Sequence, residues 1–406
     1  MKFTVSWLKD HLETEASLAD IRSTLDRIGI EVEEVQNPAE KLGAFVIARV
    51  VEAKQHPQAD RLRVCQVDTG KGVVEVVCGA PNARTGLVGV FAPIGSFIPG
   101  TGITLEKKPV RGVVSNGMLC SERELEISDD HQGIVDLPAE LGKHVGKRYV
   151  DVLELDDPVL HVKVTPNRPD CFSVRGIARD LVAAGLGKLK PEMPGFTKSG
   201  ELEHPVPITL EFPMEAESAC PVFASRYVAG VKNGPSPKWL ERRLRAIGLR
   251  PISALVDITN YLTFDRGRPL HVYDADKLSG AIRARLVKAG ESFDALDNKS
   301  YSVDETNCVI ADDSGVLGFG GIIGGVSSSC SAETRNVLIE SAYFDPVRTA
   351  QTGRSKGIIS DARTRFERGI DPHSCIAGAN LGAAMVLELC GGKASKLRVA
   401  GKEPEA

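Results

Sequence analysis

Residues 45–84 read FVIARVVEAKQHPQADRLRVCQVDTGKGVVEVVCGAPNAR. Short β-branched runs, Phe45–Val51, Leu62–Val67 and Val73–Cys78, alternate with turn residues at His56-Pro57, Thr69-Gly70 and Pro81-Asn82. Gly89–Ala92 continues the pattern, and Ile98-Pro99-Gly100 and Arg111-Gly112 add further breaks. Strands this short, at close regular spacing with Gly/Pro turns, predict a small β-barrel or sandwich over residues 41–150. An acidic loop, Glu122–Asp130, precedes Gly133-Ile134-Val135.

On either side the periodicity is helical. Residues 1–40 read as a strand, a short helix and a longer helix. The longer one opens at Ser17, with Asp20 as an acidic form of the capping box. Leu18, Ile21, Leu25 and Ile28 then follow at helical spacing until Gly29. Ile30–Val35 alternates like a strand. Residues 151–192 supply a strand at His161–Val164, a turn-rich loop at Thr165–Asp170 and a helix over Ser173–Gly185. The β module therefore reads as an insertion into a split α+β domain. Lys188–His204, rich in Pro, Gly and charge, reads as a linker. A second α+β domain is expected over 200–392, with helices at Pro237–Ile247 and Pro372–Cys390 and strands at Val256–Leu262 and Val309–Ala311. The tail, 393–406, shows no core pattern after Val399. The fold class expected is α+β multidomain.

The chain has 406 residues, 42% hydrophobic and 26% charged, with a formal net charge of -4. That is ordinary globular composition for two to four domains. No apolar run is long enough to span a bilayer, and the N-terminus lacks a signal-peptide pattern, so a cytoplasmic location is expected. Nine scattered cysteines with no CxxC spacing argue against a zinc site or a disulfide framework. There is no phosphate-binding GxxxxGK[ST], no GxGxxG and no HExxH, so nucleotide chemistry within the chain is not expected, nor a metal site.

Three segments of the β module stand out: His56–Leu62, Cys78–Arg84 and Arg111–Glu122. Together, and in order, they resemble the OB-fold tRNA-binding domain appended to several aminoacyl-tRNA synthetases. Lys54, Arg61, Arg63, Arg84, Lys107, Lys108 and Arg111 are the candidates to meet phosphates. Residues 42–148 hold 13 Lys and Arg against 12 Asp and Glu, so any counterion-release footprint would be modest. Read alone, the glycines and prolines only shape turns. The flanks extend the resemblance. Met1-Lys2-Phe3, Ser6-Trp7-Leu8, Thr165–Cys171 and Arg175–Leu181 look like the opening of a bacterial phenylalanyl-tRNA synthetase β subunit, N-terminal half.

Further segments resemble that family's editing domain, which hydrolyses tyrosine wrongly esterified to tRNA(Phe). They are Arg250–Ile252, Val256–Tyr261, Gly267–His271, Gly320–Gly325, Asn336–Ala342 and Ser360–Gly369. A synthetic pocket shaped for phenylalanine rejects an isostere bearing one extra hydroxyl only weakly, so a second pocket with a buried carboxylate is chemically sensible. The resemblance gives the recognition role to Glu340 and room for the ring to Ala362. Gly324 and Gly325 allow close backbone approach. His271, Thr259, Asn260 and Arg250 match positions lining the pocket or holding the tRNA 3′ end or attacking water. Ser360 stands where the family often has threonine, which keeps the hydroxyl and removes a methyl. Taken singly these residues are bland. A histidine after a proline is more often structural, paired glycines are mostly turns, and Asp361, Arg363, Arg365, Glu367 and Arg368 resemble a solvated ion-pair run.

Family β subunits are far longer, so the chain reads as a fragment or a truncated relative. The resemblance implies an α2β2 assembly with the α subunit and tRNA(Phe) as partners. ATP and Mg2+ are used by the full enzyme, with no cofactor expected on this chain. Two further readings stay open: a non-catalytic fragment that binds tRNA or the α subunit, and a free-standing hydrolase of mischarged tRNA.

Overall fold

The computed structural model describes residues 1–127, 131–192, 200, 202–288 and 290–404. It divides into two compact units, Met1–Glu34 with Leu160–Ala406, and Val35–Val159. The last part of the expected acidic loop, residues 128–130, lies outside the described residues, as do residues 193–199 and 201 of the expected linker.

The Val35–Val159 unit is built on a five-stranded antiparallel sheet, ordered Met118–Leu119, Val88–Ala92, Val46–His56, Ala59–Asp68, Val73–Cys78. The hairpin between Val46–His56 and Ala59–Asp68 turns at Pro57-Gln58. Both faces are covered. Ala48, Val50, Cys65, Val67, Val76 and Phe91 pack on one, while Ile47, Val88, Val90 and Ala92 pack against Phe45, Val135, Tyr149 and Val150 on the other. Burial on both faces explains why Val88–Ala92 is continuously apolar and does not alternate.

The barrel expected from the sequence does not close as a paired cylinder among the described residues. Its edges meet through Asn116 N–H donating to the Glu75 carbonyl (2.9 Å) and Val77 N–H donating to the Ser115 hydroxyl (3.1 Å). The physical reason lies in residues 108–117. Lys108–Val110 and Val113–Ser115 pair with each other. Gly117 then presses on the Phe91 ring, where a Cβ would come within 2.2 Å. Only Met118–Leu119 is left to join the sheet.

In the larger unit, Lys2–Thr4, Val159–Lys163 and Glu31–Gln36 form a three-stranded sheet with Val159–Lys163 in the middle. The capping box at Ser17 is present in both directions, Asp20 N–H to the Ser17 hydroxyl and Ser17 N–H to the Asp20 carboxylate. Such a cap stabilises a helix by about 1 kcal/mol. The Val5–His11 helix is anchored by a buried polar cluster: the Trp7 indole N–H and the His11 Nε2 lie 2.7 and 2.6 Å from the Asp265 carboxylate, and Trp7 stacks on Tyr261.

Two sheets face each other in the rest of this unit. The first is ordered His271–Asp274, Asn336–Tyr343, Val222–Ala229, Lys393–Ala394, with Arg398–Gly401 also paired to Val222–Ala229. The second is ordered Ile208–Glu211, Ile282–Leu286, Cys308–Asp312, Gly315–Phe319, Ile323–Gly324. Phe223, Tyr273, Leu338 and Ala342 of the first meet Ile208, Ile282, Ala284, Ile310 and Leu317 of the second in one core. The opposite face of the first sheet packs on the Ser374–Cys390 helix through Val222, Ala224, Cys375 and Ala379.

Three expectations are corrected. Val256–Leu262 is not a strand but part of the Ala254–Arg266 helix. That helix buries Ala254, Leu255, Asp257, Ile258, Tyr261 and Leu262, so apolar residues surround it and the helical period is lost. Lys393–Ala394 and Arg398–Gly401, expected in a tail outside the second domain, both pair with Val222–Ala229 through backbone hydrogen bonds that need no apolar pattern. Lys188–Leu189, expected as linker, pairs with Leu12–Glu13.

Candidate functional site

His271 and Glu340 are directly opposed in neighbouring antiparallel strands. Opposed residues project from the same face of a sheet. Tyr273, two positions beyond His271, shares that face. The three side chains enter a pocket of about 100 Å³ between the sheets. Its far wall is Ile310, Gly318, Phe319, Ile323 and Gly324, and the Asp361–Arg368 helix contributes Ala362 and Phe366. A dry cavity of roughly 150 Å³ admits benzene, so this pocket is of the order of one aromatic ring.

The polar groups in it are few and strongly constrained. Glu340 is 6% exposed, and the Tyr273 hydroxyl donates to its Oε2. Among the described residues Oε1 accepts no hydrogen bond. Burial pushes the Glu340 carboxyl up to about 7, against the Tyr273 hydrogen bond and the Arg268 charge, which both pull it down. Arg268 is itself buried, held by the Ser341 and Ser374 hydroxyls and the Ala342 carbonyl. Burial pushes His271 down to about 4, so its ring is neutral at neutral pH. Its Nε2 is buried without a hydrogen-bond partner among the described residues. The ring packs edge-on against Tyr273 at 4.4 Å between centroids. On its other side a Cβ at Gly324 would sit 2.4 Å from His271 Cε1, so only glycine leaves the imidazole its place.

The expected site residues therefore separate. His271, Glu340, Gly324 and Ala362 line one pocket. Gly325 borders it, donating its N–H to the Leu317 carbonyl at 2.6 Å. Ser360 is the N-cap of the Asp361–Arg368 helix, and its hydroxyl donates to the Ile322 carbonyl of the pocket wall (2.8 Å). Thr259 and Asn260 sit on the Ala254–Arg266 helix and do not line the pocket; the Thr259 hydroxyl donates to the Val256 carbonyl at 2.7 Å. Arg250 is exposed in the preceding loop. Sequence reasoning missed Tyr273 and Arg268. The signal for Tyr273 was its position two residues from His271 in a strand, which forces a shared face.

Lys54, Arg61, Arg63, Arg84, Lys107, Lys108 and Arg111 of the smaller unit are all exposed. Arg61 and Arg63 share one face of their strand. Arg111, at φ 48, turns the hairpin of Lys108–Val110 and Val113–Ser115. That hairpin lies beside the His56–Gln58 turn, with His56 Nε2 3.2 Å from the Val110 carbonyl. Arg84 is paired with Asp136 at 2.8 Å, Lys54 with Glu52 at 2.9 Å and Lys108 with Glu106 at 2.8 Å.

Among the described residues one group, Asp170, Cys171 and Asp180, brings three candidate metal ligands together. Arg168 bridges both carboxylates and Arg179 reaches the same pair, so an ion-pair network already fills it. All nine cysteines are free thiols.

A family model described as "B3/4 domain" matches residues 219–391, and one described as "Putative tRNA binding domain" matches residues 45–144. The chain is 53% identical over 412 residues to the phenylalanine–tRNA ligase beta subunit of Cereibacter sphaeroides, covering 100% of this chain and 51% of that protein. It is 56% identical over 407 residues to the same subunit of Mesorhizobium japonicum, covering 99% and 49%. Among solved structures, an N-terminal fragment of the phenylalanyl-tRNA synthetase beta subunit from Pyrococcus horikoshii is similar over 50% of this chain and 62% of that chain, at 16% identity and TM-score 0.28. The chain spans about half the length of the curated relatives it matches. Identity above one half, sustained along the whole chain and joined to both family models, makes this chain a member of the phenylalanine–tRNA ligase beta-subunit family, corresponding to its N-terminal part.

Proposed function

We propose that this chain is the part of a phenylalanine–tRNA ligase beta subunit that docks tRNA(Phe) and hydrolyses tyrosine wrongly esterified to it. In this reading residues 41–150 form an OB-fold tRNA-binding module inserted into a split domain (1–40 and 151–192), and 200–392 form the editing domain. Within a cytoplasmic α2β2 enzyme the chain would support ATP-dependent charging of tRNA(Phe) with phenylalanine. No helix among the described residues is long and apolar enough to cross a membrane.

The observation that carries the reading is Glu340, a buried carboxylate at the edge of a ring-sized pocket with one oxygen already bonded to a phenol. A tyrosyl side chain entering ring-first would donate to the remaining oxygen. Phenylalanine would leave that oxygen dry, at a cost of about 1–3 kcal/mol or more for a charged group. The chemistry is addition of water to the ester carbonyl, loss of the ribose oxygen and release of free tyrosine. Positioning and a stabilised oxyanion supply most of such a rate. His271, neutral and with a free ring nitrogen, would hold the water or the ester. Among the described residues the one group of three candidate metal ligands, Asp170, Cys171 and Asp180, is already ion-paired with Arg168 and Arg179, and ATP and Mg2+ would be used by the full ligase.

The test is to incubate the purified chain with tyrosyl-tRNA(Phe) and follow ester loss. Hydrolysis well above buffer, faster than for phenylalanyl-tRNA(Phe), is expected. Binding of tRNA without hydrolysis would replace the editing reading by that of a non-catalytic binding fragment.

A further inference from the structure

We propose that Tyr273 is a positioning residue that sets the pocket's selectivity for a phenol, by holding Glu340 Oε2 and leaving Oε1 to the substrate hydroxyl. The inference rests on the editing reading above and assigns a task within the same site.

Tyr273 is 2% exposed, lines the pocket and shares the sheet face of Glu340. A phenol has one proton to donate, and an ionised carboxylate is acceptor only. Their hydrogen bond therefore fixes the carboxylate rotamer and consumes one oxygen. The resident phenol already makes the type of contact that an incoming phenol would make at the other oxygen. Its ring is in turn gripped edge-on by His271, which is itself wedged against Gly324. The other charged or titratable neighbours do not substitute for it. Arg268 reaches Glu340 through its field, with its guanidinium bonded elsewhere. Cys220 and Cys308 are buried thiols whose pKa burial pushes up, so both are neutral at neutral pH. Asp312 acts on Tyr273, and His271 is neutral.

The ionised form matters for selectivity. A buried carboxylate with a dry oxygen penalises phenylalanine more than a neutral acid does. Burial drives Glu340 toward the neutral acid, and the Tyr273 hydrogen bond opposes that drive. Removing the hydroxyl should therefore raise the pH at which the carboxylate ionises and weaken discrimination at neutral pH.

The experiment compares the full chain with Tyr273→Phe, which keeps the ring and its packing. kcat and KM for tyrosyl- and phenylalanyl-tRNA(Phe) are measured across neutral pH. In the parent chain the preference for the tyrosyl ester should rise with pH through neutrality. In Tyr273→Phe the preference at pH 7 should fall about tenfold, mainly through KM for the tyrosyl ester, with its rise displaced to higher pH. In a Glu340→Gln background the same change should add little. An unchanged preference and pH midpoint would reduce Tyr273 to a wall residue. Equal slowing of both esters with no shift in the pH profile would make its role structural and also overturn the proposal. If the parent chain does not hydrolyse the tyrosyl ester at all, the editing reading fails and this role with it. With a hydrolysing parent, the behaviour of Tyr273→Phe bears on Tyr273 alone.

Discussion

The pocket of the larger unit and the cationic surface of the smaller one use charge in opposite ways. Glu340 is buried, holds a single neighbouring phenol and has its protonation displaced toward neutral pH. Arg61, Arg63, Lys107 and Arg111 are exposed and held in no ion pair among the described residues. A dry charge discriminates, because leaving it unpaired costs several kcal/mol or more. A wet charge attracts any phosphate chain and loses strength with salt. On the function proposed above, recognition of the amino acid and recognition of the nucleic acid should therefore fail differently when residues are changed, one in selectivity and one in salt-dependent affinity.

The largest effect is expected from Gly324→Ala. The new Cβ would lie 2.4 Å from His271 Cε1 and 2.8 Å from its Nε2, so the imidazole must leave its present place. Misplacement of about 1 Å at a reacting centre can cost on the order of 100-fold in rate. Hydrolysis of tyrosyl-tRNA(Phe) should fall by about that much while tRNA affinity stays as it was. Activity within a few-fold of the parent would mean His271 is not needed where it stands.

Glu340→Gln comes next. It keeps the shape and an acceptor for the Tyr273 hydroxyl, and it removes the charge. Preference for the tyrosyl ester should drop about 10- to 100-fold at neutral pH, the range for a hydrogen bond to a charged group. Stability gives a second readout with a definite sign. The folded carboxyl is raised to about 7 from 4.5, so ionisation opposes folding. The stability present while it is protonated is lost as pH rises through 7. Parent and Glu340→Gln should therefore be closest in unfolding free energy near pH 4.5, with the variant gaining as pH rises toward 7, by an amount on the order of 3 kcal/mol. A Tm difference that ignores pH would show that Glu340 is not strained by its burial.

Legibility in the sequence follows the same division. The short strands of residues 45–92 were readable because turns and β-branched runs are local signals, and so was the Ser17 helix start, whose capping residues act within one turn. The open edge of the sheet was not, since it depends on residues 108–115 pairing with each other and on Gly117 meeting Phe91, contacts that no local pattern encodes. The Ala254–Arg266 helix was misread because burial on nearly all sides erases its period. In the site, the resemblance pointed to His271, Glu340, Gly324 and Ala362, which the fold gathers round one cavity. Tyr273 escaped because an aromatic in a strand looks like core until its hydroxyl is seen on a carboxylate. The separation of Thr259, Asn260 and Arg250 from the pocket is a property of tertiary packing alone.

The smallest effects belong to the cationic surface, and there the contrast is between free and paired arginines. Arg61→Ala and Arg111→Ala should each weaken binding of tRNA by a few-fold and lower the slope of log affinity against log salt by about 1, as expected for one lost phosphate contact. Arg84→Ala should change both far less. Its guanidinium is already engaged by Asp136, with Nη1 and Nη2 at 2.8 and 3.2 Å from the carboxylate oxygens, and a phosphate would have to displace that partner. Filter-binding or anisotropy titrations at several salt concentrations measure both quantities. Hydrolysis at saturating tRNA should be untouched in all three variants, because none of these side chains lines the Glu340 pocket. Equal losses for Arg61 and Arg84 would mean that the Asp136 pair opens on binding, and a selectivity change in any of them would break the division between a dry charge that discriminates and wet charges that attract.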